Sequence, residues 1–166
     1  STYSSFFNNG YSVVRRANAI LENIDNFAAG TFKDNIKGEA LAARAMIYFD
    51  MARIFAKTYT NAAATDSVLP YVIATDPTIL PAKEPVTVFY DKLVADLEAA
   101  KILVSTSTTT NTKFTKRAVS GLLSKIYLYR GEWQKCVTAS NDALGSATEV
   151  TSLANFIKIW QDNSED

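Results

Sequence analysis

The sequence predicts an all-α fold built from stacked helical hairpins. Apolar residues recur at the three-and-four spacing of a helix face through most of the chain, and no stretch alternates apolar with polar residues as a half-buried strand would. Glycines or prolines fall where the apolar stripes stop. A chain of 166 residues makes one domain, 1–166, with a core that needs no disulfide or metal to hold it.

The first helix is expected over residues 4–27, with Val13, Val14, Ala17, Ile20, Leu21 and Ile24 on one face and Gly30 stopping it. Thr31 opens the second, with Asp34 as a capping-box partner, and this helix runs to about Lys57. Ile36, Ala40, Ala43, Ile47, Met51 and Ile54 form one stripe on it, and Leu41, Ala45, Tyr48 and Ala52 form another, which implies burial on two sides. Residues 58–86 lose this periodicity and hold every proline of the chain, Pro70, Pro77, Pro81 and Pro85. They read as a long loop insertion, a feature uncommon in compact domains unless it serves binding or docking.

Thr87 is the expected N-cap of a third helix, lined on one face by Phe89, Leu93, Leu97, Ala100 and Val104. A Ser/Thr-rich connector at 105–114 is too polar to pack and is expected to be mobile. Thr115 caps the fourth helix, whose inward face is Ala118, Leu122, Leu123, Ile126 and Tyr127, ending at Gly131. The fifth follows at once with Trp133, Val137, Ser140 and Leu144 in line and Gly145 as its stop. So short a turn makes the last two helices antiparallel. After Thr151, the segment Phe156 to Trp160 is apolar enough to pack.

The fourth and fifth helices fit the tetratricopeptide pattern. Leu123, Ser124 and Tyr127 take the places of its Leu-Gly-x-x-Tyr, Cys136 is its small residue in the second helix, and Ala143 its later Ala. Small residues let the two helices approach, and the aromatic fills the space between hairpins. Helices two and three form a second unit split by the proline loop, with Tyr48 in one and Ala95 and Ala99 in the other.

Composition removes several functions. Lys plus Arg and Asp plus Glu both number 17, and no basic patch exists to hold nucleic acid. With zero histidines, Ser-His-Asp and Cys-His catalysis and the usual zinc sites are absent, and the lone Cys136 has no base to activate it. No catalytic residue, cofactor or metal is expected. The acidic end, Asp162 to Asp166, has alternating oxygen ligands but lacks the glycine and distal glutamate of a calcium loop. Residues 1–12 do not have the basic start and apolar run of a signal peptide, and no stretch is long enough to cross a bilayer.

An ordered set of short motifs runs along the chain. Tyr11-x-x-Val14-x-x-x-Asn18-x-x-Leu21 is followed by Gly38-Glu39-Ala40-Leu41-x-x-Arg44-Ala45-x-x-Tyr48-Phe49 and by Leu69-Pro70-Tyr71. Next come Val88-Phe89-Tyr90-x-x-Leu93-x-x-Asp96-Leu97-x-x-Ala100 and Thr115-Lys116-x-Ala118-x-x-x-Leu122-Leu123-x-x-Ile126-Tyr127-Leu128. In this order they resemble the N-terminal half of SusD/RagB proteins. Phe7, where the family often has Trp, and Phe55-Ala56, where Phe-Gly is common, depart from it. The resemblance implies a fragment of a longer lipoprotein on the outer membrane of Bacteroidetes, anchored by a lipid outside this chain. It also implies a non-enzymatic protein that captures oligosaccharide or polysaccharide and hands it to a SusC-like TonB-dependent transporter. A tetratricopeptide-type protein-protein interaction scaffold is the alternative.

Sugar sites combine aromatic faces with amides. By position the glycan-binding candidates are Phe6, Phe7, Asn8 and Asn9 before the first helix, and Tyr59 and Tyr71 in the proline loop. Arg44 and Asp96 fall within or beside apolar stripes, so they are expected to form a structural ion pair bridging helices two and three. Asn18, mid-helix against its propensity, is expected to bond a neighbouring group.

Overall fold

A computed structural model of the chain describes residues 2–107 and 112–146. Its helices are α1 (Thr2–Asn23), α2 (Thr31–Phe55), α3 (Val86–Leu103), α4 (Lys116–Arg130) and α5 (Trp133–Leu144), each packed on the one before it. The fold is all-α, as the periodicity predicts.

α1 begins at Thr2, so Phe6 to Asn9 lie inside the helix and not ahead of it. It buries Gly10, Val14, Ala17 and Asn18, then tightens into a 3-10 turn at Ile24–Asn26. Val13 and Ile20, counted inward from the spacing, are 37% and 40% exposed. The buried arc centres on Val14 and Asn18, and these two side chains flank it where no second helix covers them.

α2 is the central element, buried against α1 on one side and α3 on the other through residues that include Leu41, Ala45, Tyr48, Met51 and Ala52. The expected capping box does not form. Thr31 is already helical and Gly30 holds the cap position at φ 148°, so the Thr31 hydroxyl is one residue too far along. The helix ends at Phe55, where Ala56 turns extended, and Ile54 is left exposed while Phe55 packs on Phe6 and Phe7.

Residues 58–86 thread back across the helices as an ordered loop. Val68 N–H donates to Glu84 O at 2.9 Å and Glu84 N–H to Leu69 O at 3.1 Å, around a single antiparallel bridge between Ser67 and Pro85. Val68, Leu69 and Tyr71 are buried. Pro85, not Thr87, occupies the cap position of α3: its ring presets helical entry, and the Val86 N–H is taken by Asp66 O at 3.1 Å. Phe89, Leu93, Leu97, Ala100 and Val104 are all buried.

Of the 105–114 connector, expected to be mobile, residues 108–111 lie outside the described residues. Its near end is held: Ser105 O accepts from the Lys116 N–H at 3.0 Å. Thr115 Oγ1 accepts from the Ala118 N–H at 3.2 Å and caps α4, which leaves Ala118 exposed on the first turn and buries Val119, Ser120, Leu123, Ile126 and Tyr127. Gly131 takes the left-handed conformation at φ 72° that turns α4 into α5.

α5 meets α4 through small residues, with Ala139 buried and Cys136 and Ala143 half-buried. Trp133 and Val137, counted as its inward face, are instead 65% and 53% exposed. The close approach selects the stripe without bulk, and the large side chains face away. The Phe156 to Trp160 segment and the acidic end at Asp162 to Asp166 lie outside the described residues.

Candidate functional site

Five polar side chains from three helices and the loop converge in the core. Arg44 Nε and Nη2 donate to Asp96 Oδ2 and Oδ1 at 2.7 and 2.8 Å, a bidentate bridge between α2 and α3. Arg44 Nη1 donates to Asn18 Oδ1 at 2.8 Å, and Asn18 Nδ2 donates to Val72 O at 3.0 Å. Tyr71 donates its hydroxyl to Asp96 Oδ2 at 2.7 Å and stacks on Tyr48 with centroids 4.3 Å apart. Tyr48 accepts from the Val72 N–H at 2.7 Å.

The electrostatics follow from this closure. Burial works against the Arg44 charge, but the Asp96 carboxylate outweighs it and holds the guanidinium above its ordinary value. Burial pushes the Tyr71 hydroxyl far up, and the Asp96 charge beside it adds to the push. Charges this desolvated persist only when every partner is present. The network ties loop backbone at Val72 to all three helices, and its side chains are engaged with one another and with that backbone in the core.

The sugar-site candidates are scattered. Tyr71 is 4% exposed and stacked inside the core, so it offers no ring face. Tyr59 is half-buried, edge-on to Tyr90 at 5.0 Å with the Arg130 guanidinium 5.4 Å from its ring. Phe6 and Phe7 are half-buried against Phe55, and Phe7 also meets Tyr11 at 5.0 Å. Asn8 and Asn9 are exposed beside them. Residues at the two ends of this set share no cleft, and the aromatic members belong to packing.

A surface the sequence reading missed runs along the α1–α2 seam. A hollow of about 410 Å³ is lined by Ile20, Ile24, Phe27, Phe32 and Ile36, and a second of about 280 Å³ continues past Val13, Ala43 and Phe114. A third, of about 210 Å³, lies between Phe32 and Phe114 and is edged by Asn35, Glu39, Ser105 and Lys113. Phe27 and Phe32 are 58% and 74% exposed. The available signal was that Phe32 falls outside the buried stripe of α2; Phe27 lies just past the 3-10 turn that ends α1.

Residues 1–128 match the profile of a SusD-like family described as starch-binding associating with outer membrane. The chain belongs to the SusD-like family. No curated protein matches it. Among solved structures it is similar to a protein titled as sugar-binding from Bacteroides vulgatus, with 27% identity and TM-score 0.85 over 98% of this chain and 38% of that one. A SusD superfamily protein from Bacteroides thetaiotaomicron matches at 27% identity and TM-score 0.83, over 92% of this chain and 35% of its own. A laminarin-binding SusD-like protein has the same fold at 20% identity and TM-score 0.77, over 95% of this chain and 34% of its own. This SusD-like chain spans little more than a third of those relatives.

Four of the five motifs that carried the resemblance supply the side chains of the core network. Asn18, Arg44, Tyr48, Tyr71 and Asp96 each come from a different motif or motif position, and the fold joins them. Those four motifs together seat the proline loop on α1, α2 and α3.

Proposed function

We propose that this chain is the helical scaffold region of a non-enzymatic glycan-capture protein, which works with a SusC-like TonB-dependent transporter at the bacterial outer membrane. The observation that carries the reading is the family match over residues 1–128. It is supported by two relatives of the same fold, one named as laminarin-binding and one solved with a xylogluco-oligosaccharide. Their ligands identify a substrate class, oligosaccharide or polysaccharide. Attachment to the membrane by a lipid outside this chain is part of the same reading and comes from the resemblance; no described helix is long and apolar enough to cross a membrane.

A non-enzymatic role is part of this reading, and the pairing of several acidic groups supports it. Asp91, Asp96, Asp142 and Glu84 are each paired with a cation on a neighbouring element, and glycoside hydrolysis needs two carboxylates facing one cleft. The deciding experiment sets the full-length parent on a glycan array beside a pull-down of its transporter. Oligosaccharide binding with co-purification of the transporter is expected. Capture of peptides without any oligosaccharide would replace this reading with a tetratricopeptide-type interaction scaffold.

A further inference from the structure

The hollow beside the first turns of α2 carries groups that the fold does not use. It encloses about 210 Å³ between Phe32 and Phe114, beside Asn35, Glu39, Ser107 and Lys113. Phe32 is 74% exposed, and a phenyl ring left in water is an unfavourable arrangement that a ligand face would relieve. Asn35 is oriented from behind: its Oδ1 accepts from the Ser105 N–H at 2.8 Å and from the Ser105 hydroxyl at 2.9 Å. Both lone pairs of that oxygen are engaged, so the Nδ2 group is the side of the amide left to donate. Glu39 and Lys113 line the same space, and neither has an ion pair or hydrogen bond among the described residues.

We propose that this hollow is a subsite for one pyranose ring of a glycan. The proposal rests on the glycan-capture reading above and gives it a location within this chain. A pyranose has an apolar C–H face and an edge of hydroxyls. Phe32 and Phe114 match the first; Asn35 Nδ2 and Lys113 Nζ as donors and Glu39 as acceptor match the second. The neighbouring hollows along the α1–α2 seam suit a sugar less well: Asn23 is the one polar residue lining the larger, and Arg16, Glu39 and Thr112 edge an otherwise apolar wall in the other. Size sets the unit: the space is below the roughly 300–1,000 Å³ of sites that enclose drug-sized ligands, so one ring enters and the rest of the glycan stays outside.

The test uses the 166-residue chain with laminarihexaose and with a xyloglucan oligosaccharide, read by saturation-transfer NMR and amide shifts. Weak binding is expected, with shifts at Asn35 and Lys113. Phe32→Ala removes the stacking ring from an exposed position, and Asn35→Asp keeps the acceptor for Ser105 while removing the donor. Each should weaken binding at least tenfold with thermal unfolding unchanged for Phe32→Ala, whereas Phe27→Ala in the adjoining hollow should bind as wild type. Wild-type affinity in both Phe32→Ala and Asn35→Asp would overturn the subsite and leave the glycan-capture reading standing. No saturation transfer from the wild-type chain to either probe would also overturn the subsite, while the array on the parent protein decides the broader reading independently.

Discussion

Arg44 shows what a single buried charge demands of its surroundings. Its side chain is 8% exposed and that of Asp96 12%, so neither has water to fall back on. Arg44→Ala leaves Asp96 unpaired and Asn18 Oδ1 without its donor, and should cost about 3–5 kcal/mol. Replacing both charges, as in Arg44→Met with Asp96→Leu, should cost clearly less than Arg44→Ala alone, because no unpaired ion remains. Urea unfolding decides it, and a loss below about 1 kcal/mol for Arg44→Ala would mean the pair is solvated in solution.

The tyrosines set a pH limit at the same scale. Burial pushes Tyr11 and Tyr90 up to about 12, and Tyr48 and Tyr71 higher still. In the unfolded chain they ionise at about pH 10. The neutral form is thus favoured by folding, so this stability is complete below about pH 10 and is lost as pH rises through the folded values. Helical signal and tyrosinate absorbance should change together above that point. Ionisation of most tyrosines at about pH 10 with the helical signal intact would contradict the burial.

At the scale of elements, glycines report how closely helices approach. A Cβ on Gly38 would lie 2.7 Å from Val104 Cγ1 and 3.1 Å from the Val104 backbone N. Backbone cannot give way, so Gly38→Ala should destabilise by about 1–3 kcal/mol despite the better helix propensity of alanine. At Gly121 the nearest atom is Ala143 Cβ at 4.0 Å, an ordinary contact. Gly121→Ala should therefore stabilise, by up to about 1 kcal/mol. The two melting temperatures should move in opposite directions, and a shared direction would mean that the α2–α3 approach is looser than described. Thr115→Ala removes the side-chain cap of α4 and should cost about 1 kcal/mol.

Over the whole molecule, the proline loop behaves as part of the core. Val72 N–H is bonded to Tyr48 Oη and Thr75 N–H to Glu22 Oε1, so α1 and α2 hold the loop, and Val68 N–H to Glu84 O closes the loop on itself. Amide hydrogen exchange at Val68 and Val72 should approach that of α3, and Tyr48→Phe should release Val72 first. Fast exchange at Val72 in the wild type would show the loop opening independently of the helices.

The five helices, their order and the ordered SusD-like motifs were legible in the sequence by itself, because helical spacing and turn residues are local properties of the chain. α3 is the clearest case: each residue of its predicted stripe is buried. Arg44 and Asp96 could also be read, since a charge within an apolar stripe announces that it needs a partner. Which stripe faces inward could not be read where a helix carries two, as α5 does. Its small residues meet α4 and leave Trp133 and Val137 outside, a choice made by how near two helices can come. The same limit applies to sites. Tyr71 looked like a loop aromatic and is a core residue, while Phe32, in neither predicted stripe of its helix, stands exposed beside Asn35 and Lys113. Periodicity fixes where a side chain sits on its own helix; only the tertiary structure decides whether another element covers it, because burial depends on contacts across long sequence separations.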